Sequence, residues 1–210
     1  MRDEDIVREA KRVYERYAVE FVEALGVCPW AMQARRDGAT RVEVDLAAVP
    51  GAATETQLTR LSEEPDVMVA LVLFPRARLG RKAWEREVSR VREGLGAGAP
   101  FALAAFHPEA MADVATAARL VPFIRRTPDP TIQAVRYAAL EGLRRHESTG
   151  SRFLDPATLD LGALMRAGPP RPALHERVAE MNLANLEAFG LGRAEAVLDA
   201  ILADRRRSYP

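Results

Sequence analysis

The 210-residue sequence predicts an α/β or α+β fold: a small central sheet of about three strands, packed helices and a helical C-terminal extension. Three observations predict it. Apolar residues recur with a helical period, then with a period of two, then as continuous β-branched runs, and these patterns alternate along residues 1–150. Glycine and proline punctuate each change of pattern. The last 35 residues return to the helical period alone.

Ile6, Ala10, Val13, Tyr17, Phe21 and Leu25 lie three or four apart among charges, which gives a long amphipathic helix. Gly26 offers a left-handed cap, and Pro29 disfavours helical dihedrals at Cys28, so the helix ends before the cysteine. A short helix then runs from Pro29 through Trp30 and Ala34, with Cys28 as its N-cap. Val42, Val44 and Leu46 alternate with charged residues as an edge strand, and Thr54–Ser62 forms a short helix. Val67–Phe74 is apolar throughout and suits a strand covered on both faces. Trp84, Val88, Val91 and Leu95 mark a helix that the glycines at 94, 96 and 98 close, before a third strand, Phe101–Phe106. The alternation fits a ferredoxin-like sheet or one with parallel crossovers.

Residues 110–120 carry no decisive pattern. Asp129 and Pro130 form an N-cap carboxylate and first-turn proline, which predicts a helix through Ile132, Val135, Leu140 and Leu143, ending near Gly150. Asp155–Pro172 reads as a connector, and His175–Phe189 and Ala194–Ala203 as a helical hairpin split by Gly190 and Gly192. Residues 1–150 are therefore the core domain, and 151–210 a connector and hairpin packed on it.

Lysine plus arginine and aspartate plus glutamate each number 30, so no overall basic field exists to favour nucleic acid. The longest apolar run falls far short of the ~20 residues that span a bilayer, which argues against a membrane partner. One cysteine excludes an intramolecular disulfide and points to a cytoplasmic protein. The glycines at 94–98 follow a helix and precede a strand, the reverse of a dinucleotide-binding loop.

Three segments carry residues suited to chemistry. Cys28 faces competing helix ends: the carbonyl end of the first helix disfavours a thiolate, and the amide end of the next favours it. The alternative is a cysteine packed as a small hydrophobe. His107, in Phe106-His107-Pro108, stands at a strand end, where imidazoles reach into ligand crevices as base, acid or metal ligand, or brace a turn. Arg125, Arg126 and Thr127 precede the predicted helix N-terminus and Thr131 lies in its first turn, so an anion would meet two guanidinium groups, hydroxyls and free amides. Local ion pairs are the competing use of these arginines.

Taken together, Cys28-Pro29-Trp30-Ala31, Phe106-His107-Pro108 and Arg126-Thr127-Pro128-Asp129-Pro130-Thr131 resemble the bacterial domain-of-unknown-function 1415 family. The resemblance covers roughly residues 21–143 and implies that the segments belong together, without an established reaction. Trp30, Thr127, Asp129 and Gln133 depart from the family's usual residues. Gln133 stands where many members have histidine, which removes one ligand from a two-histidine metal centre.

If the segments converge, Cys28 supplies a nucleophile, His107 a base or acid, and Arg125, Arg126, Thr127, Thr131 and Trp30 the contacts to a small anionic, phosphate- or carboxylate-bearing molecule. The expected function is thus a thiol-dependent enzyme, with no cofactor indicated. The alternatives are a non-catalytic small-molecule or anion-binding module, and a metal-dependent enzyme using Cys28, His107 and Glu109. Leu183, Leu186 and Phe189 offer a homo-oligomer a helical contact. The thiolate reading expects Cys28 alkylation in the folded protein to titrate well below ~8.5 with no metal bound. An unreactive thiol across pH 4 to 10, on the order of the ordinary range, would remove it.

Overall fold

The computed structural model describes residues 1–27, 31–110, 113–139 and 174–210. Helix α1 (Asp3–Arg16) continues without a break into a π-helical segment (Tyr17–Glu23). The chain turns at Gly26, whose φ of 63° is the expected left-handed cap. Then follow α2 (Ala31–Arg36), β1 (Thr40–Val44), α3 (Ala52–Glu63), β2 (Val69–Leu73), α4 (Arg81–Leu95) and β3 (Phe101–Phe106). After these come α5 (Ala117–Ile124), β4 (Thr131–Arg136), α6 (Leu174–Phe189) and α7 (Leu191–Ser208). No helix among the described residues is long and apolar enough to cross a membrane.

The sheet has four strands in the order β1-β2-β4-β3, where the sequence predicts about three. Residues 131–136 form the fourth strand and overturn the predicted helix beginning at Asp129. The remainder of that predicted helix, from Leu140, and the connector to Pro172 lie outside the described residues. The cap signal is local, but tertiary pairing decides: β4 enters between β2 and β3 and bonds antiparallel to both. A helix there would leave both neighbouring strands with open edges in the middle of the molecule. β1 lies parallel to β2. The sheet therefore joins a parallel pair to an antiparallel trio and matches neither a ferredoxin-like sheet nor a purely parallel one.

β2 is buried along its whole length, as its unbroken apolar sequence requires. Its pleat sends Ala70 and Val72 to one side, with Leu58 and Leu61 of α3, Trp84 and Val88 of α4, and Ile132 and Ala134 of β4. Phe74 meets Trp84 edge-on at 5.0 Å in this layer. Leu73 and the facing residues of β1 pack on the other side with Ile6, Ala10, Val13, Tyr17 and Phe21, together with Phe123 of α5 and Leu198 and Ile201 of α7. β1 is the half-buried edge, and its outward Arg41 and Glu43 pair with Asp66 at 2.8 Å and Arg60 at 3.5 Å. Charges on an edge discourage pairing with a second chain.

The C-terminal hairpin lies on this second core. Leu186 is buried, and Leu183 and Phe189 pack at its margin, so the residues nominated for a subunit contact are engaged within their own chain. Asp204 of α7 accepts hydrogen bonds from Arg12, at 2.9 Å, and from Arg16 of α1. Those bonds hold its carboxyl far below the usual range. A depressed acid pKa contributes stability above the unfolded value and loses it as pH falls. Asp204→Asn should thus lower unfolding free energy by about 1–2 kcal/mol near neutrality, given that both arginines are partly solvated. In urea titrations the gap from wild type should close as pH drops below about 4.

Candidate functional site

The structure brings the histidine and arginine segments together. Phe106 ends β3, Arg125 follows α5, and the His107 amide donates to the Arg125 carbonyl at 3.1 Å. His107 is buried with both ring nitrogens engaged: Nδ1 accepts from the Glu109 amide at 3.1 Å, and Nε2 lies 2.9 Å from the Leu79 carbonyl. A carbonyl only accepts, so Nε2 carries the proton and the ring is neutral. This geometry makes His107 a brace between two loops, with neither nitrogen free to take a thiol proton.

Arg125 and Arg126 stand at the C-terminal end of α5, not before a helix N-terminus, because the following residues form β4. The amide cluster and favourable dipole expected for an anion are absent there. Arg126 Nε donates to the Pro108 carbonyl at 3.0 Å and thereby ties the histidine loop down. Thr127 and Thr131 are fully buried, and their hydroxyls donate to the Asp129 carbonyl at 2.7 and 2.8 Å. Both hydroxyl protons are thereby committed to shaping a corner. Cys28 and Trp30 lie outside the described residues. Among the described residues, no three His, Cys, Asp or Glu side chains gather in a metal-binding cluster.

The same corner holds the C-terminal helix. Asp129 is buried and accepts from Arg205 Nε at 2.8 Å and from the Tyr209 hydroxyl. Arg205 also donates to the Pro75 carbonyl at 2.7 Å and lies over the Tyr209 ring. Burial, followed by the charge of Asp129, pushes the Tyr209 hydroxyl far above the ordinary phenol range, so it remains a donor.

Arg125 is different. Its guanidinium makes no hydrogen bond or ion pair with any described residue and lies 5.7 Å from the centre of the Phe106 ring. Although Arg125 is exposed, packing around the guanidinium desolvates it and lowers its pKa, an effect that Glu85 opposes. Arginine stays protonated under such shifts. The result is a fixed cation without a counter-charge in contact.

Arg125 borders a cavity of about 550 Å³ between the sheet and the helical layer. Ala102 and Ala104 of β3, with Leu71 and Val135, form its floor, and the two alanines leave the volume that larger residues would fill. Tyr17, Ala18 and Val22 of the π-helical segment form the roof, and Val178 and Asn182 of α6 close one wall. Arg35 lies on the border too, but it is paired with Glu23 at 2.6 Å and Glu15 at 2.9 Å. These bonds hold the Glu23 carboxyl below its usual range.

No family model, curated protein or solved structure matches this chain. The cavity's walls are therefore the main guide to its use. Two lining residues were not singled out as site residues from the sequence. Gln133 sits mid-sheet, opposite Leu71 on one side and Ala104 on the other, and its amide makes no hydrogen bond among the described residues. Its signal is an amide in the middle of an otherwise apolar segment. Asn182 has no such signal, because a polar residue on an amphipathic helix is ordinary.

Two measurements check these roles. His107 should show a single Nε2–H tautomer in long-range ¹H–¹⁵N NMR at neutral pH, where a free catalytic imidazole would average both. Asp129→Ala leaves the partly buried Arg205 and the buried Tyr209 hydroxyl without their carboxylate and should cost about 3 kcal/mol in chemical denaturation.

Proposed function

We propose that this protein is a binding module for a small, largely apolar molecule with an anionic end, seated in the cavity beneath the π-helical segment. The observation that carries this reading is the Arg125 guanidinium, unpaired among the described residues, on the border of an otherwise mainly apolar space. Ligand sites typically occupy roughly 300–1,000 Å³ and combine apolar walls with a few placed polar groups. A carboxylate is the favoured head group because guanidinium donates to it in a two-pronged, charge-assisted pair. Residence in the cytoplasm and membership of the domain-of-unknown-function 1415 family belong to the same proposal, the latter supported by the order of the three motifs.

A thiol-dependent reaction on the same molecule is the second reading. Its support is that Val27, the residue before Cys28, lines the cavity. Any base in that reaction is a group other than His107, whose nitrogens are both engaged.

Calorimetric titration with decanoate and with decanol tests the anionic part of the proposal. Decanoate should bind roughly ten- to a hundredfold more tightly, the range expected for one charge-assisted hydrogen-bonded pair. Arg125→Gln should abolish that preference while leaving decanol binding unchanged. Ala104→Leu, which fills the floor, should weaken both. Retention of the preference in Arg125→Gln would overturn the assignment.

A further inference from the structure

Asn182 is 2% exposed, and its Oδ1 accepts no hydrogen bond from any described residue. A buried amide left in this state is destabilising, and native structures satisfy nearly all such groups. Its neighbour on α6 shows the contrast: Asn185 Nδ2 donates to the Gly26 carbonyl at 3.0 Å and so serves the turn that ends the π-helical region. Asn182 has no comparable task, yet it lines the cavity. Gln133 presents a second amide from the sheet, likewise without a hydrogen bond among the described residues. An apolar residue at either position would pack against the same neighbours without burying an unpaired polar group.

Three polar side chains from three separate elements, unpaired among the described residues, thus border one apolar space: Arg125 after α5, Gln133 on β4 and Asn182 on α6. Their chemistry differs. The guanidinium donates only and is always charged, so it selects an anion. A carboxamide both donates and accepts, and the group that answers it in either orientation of the amide is a hydroxyl. From this division we infer that the ligand is a hydroxy acid: a carboxylate at Arg125, an apolar body over Ala102 and Ala104, and a hydroxyl bonded by Asn182, with Gln133 as the second amide near its path. This inference rests on the anion reading above and adds to it the second polar group.

Sites built to hydrogen-bond a hydroxyl discriminate strongly against the analogue lacking it, because their own polar groups then stay unpaired. The test uses straight-chain acids from hexanoate to dodecanoate, each with its ω-hydroxy counterpart, titrated calorimetrically into the full-length protein. Lengthening the chain moves the hydroxyl along the cavity. At the matching length the hydroxy acid should bind at least about tenfold more tightly than the plain acid. Asn182→Leu should erase that gain, bind plain acids at least as tightly as wild type, and melt at the same or a higher temperature, because it removes an unpaired amide. A merely structural asparagine would instead lower the melting temperature and weaken all acids together.

If no length shows a hydroxyl gain while plain acids still bind, the inference fails and the anion reading survives. If the gain appears and persists in both Asn182→Leu and Gln133→Leu, the amide assignment is overturned. If none of the acids binds, both readings fail.

Discussion

The antiparallel insertion of β4 between β2 and β3 is the interaction on which the rest of the structure depends. Until β4 is in place, β2 and β3 are not bonded to each other, and two rows of backbone groups lack partners. Its entry also fixes the corner before it, where the Asp129 carbonyl gathers the hydroxyls of Thr127 and Thr131. The side chain of Asp129 points the other way and engages Arg205 and Tyr209, so the placement of one strand determines where α7 docks. The histidine loop follows, since the His107 amide bonds to Arg125 immediately upstream of that corner. What looks in sequence like a row of chemical groups is mostly the joinery of this insertion.

The same joinery isolates the candidate site. His107, Arg126, Thr127 and Thr131 each have partners that hold loops together, which leaves Arg125 as the cation of that group still open to a ligand. The pleat puts Ala102, Ala104, Gln133 and Val135 on one face, so space and polarity come from alternate residues of two neighbouring strands. On the opposite face, Leu103, Ile132 and Ala134 pack into the layer under α3 and α4. A cavity can exist on one side because the other side is densely filled.

Elements carried by local periodicity were legible: the first helix, the edge strand, the buried central strand, α4, β3 and the terminal hairpin all appear near their expected bounds. The segment from Asp129 onward was not, because its capping signal is contained in two residues, whereas its strand pairing runs from Phe106 with Thr131 to Val69 with Val135, far along the chain, and long-range pairing overrides local propensity. Arg125 is marked by its charge, but the helix N-terminus that its sequence context suggests does not form, because β4 follows it. Asn182 was invisible, since what distinguishes it is the lack of a partner, and that is a property of the folded molecule. The π-helical turn did leave a trace. Val13, Tyr17, Phe21 and Leu25 are spaced by four three times in succession, which in a regular α-helix would carry the apolar stripe about 120° off its axis. A wider turn keeps all four buried.

That wider turn has an evolutionary corollary. A π-helical segment differs from an α-helix by the residues it accommodates per turn, so losing a single codon within Tyr17–Glu23 would let the helix relax to regular geometry. Because the wider turn absorbs that extra residue, the helix on either side would keep its facing, with Ile6, Ala10 and Val13 before it and Leu25 after it still docked. Only the residues within the segment would change facing, so the roof now made by Tyr17, Ala18 and Val22 would be rebuilt on an unchanged sheet. One-residue insertions and deletions at this point are therefore a route by which descendants of such a chain can exchange one ligand for another without first having to invent a new fold.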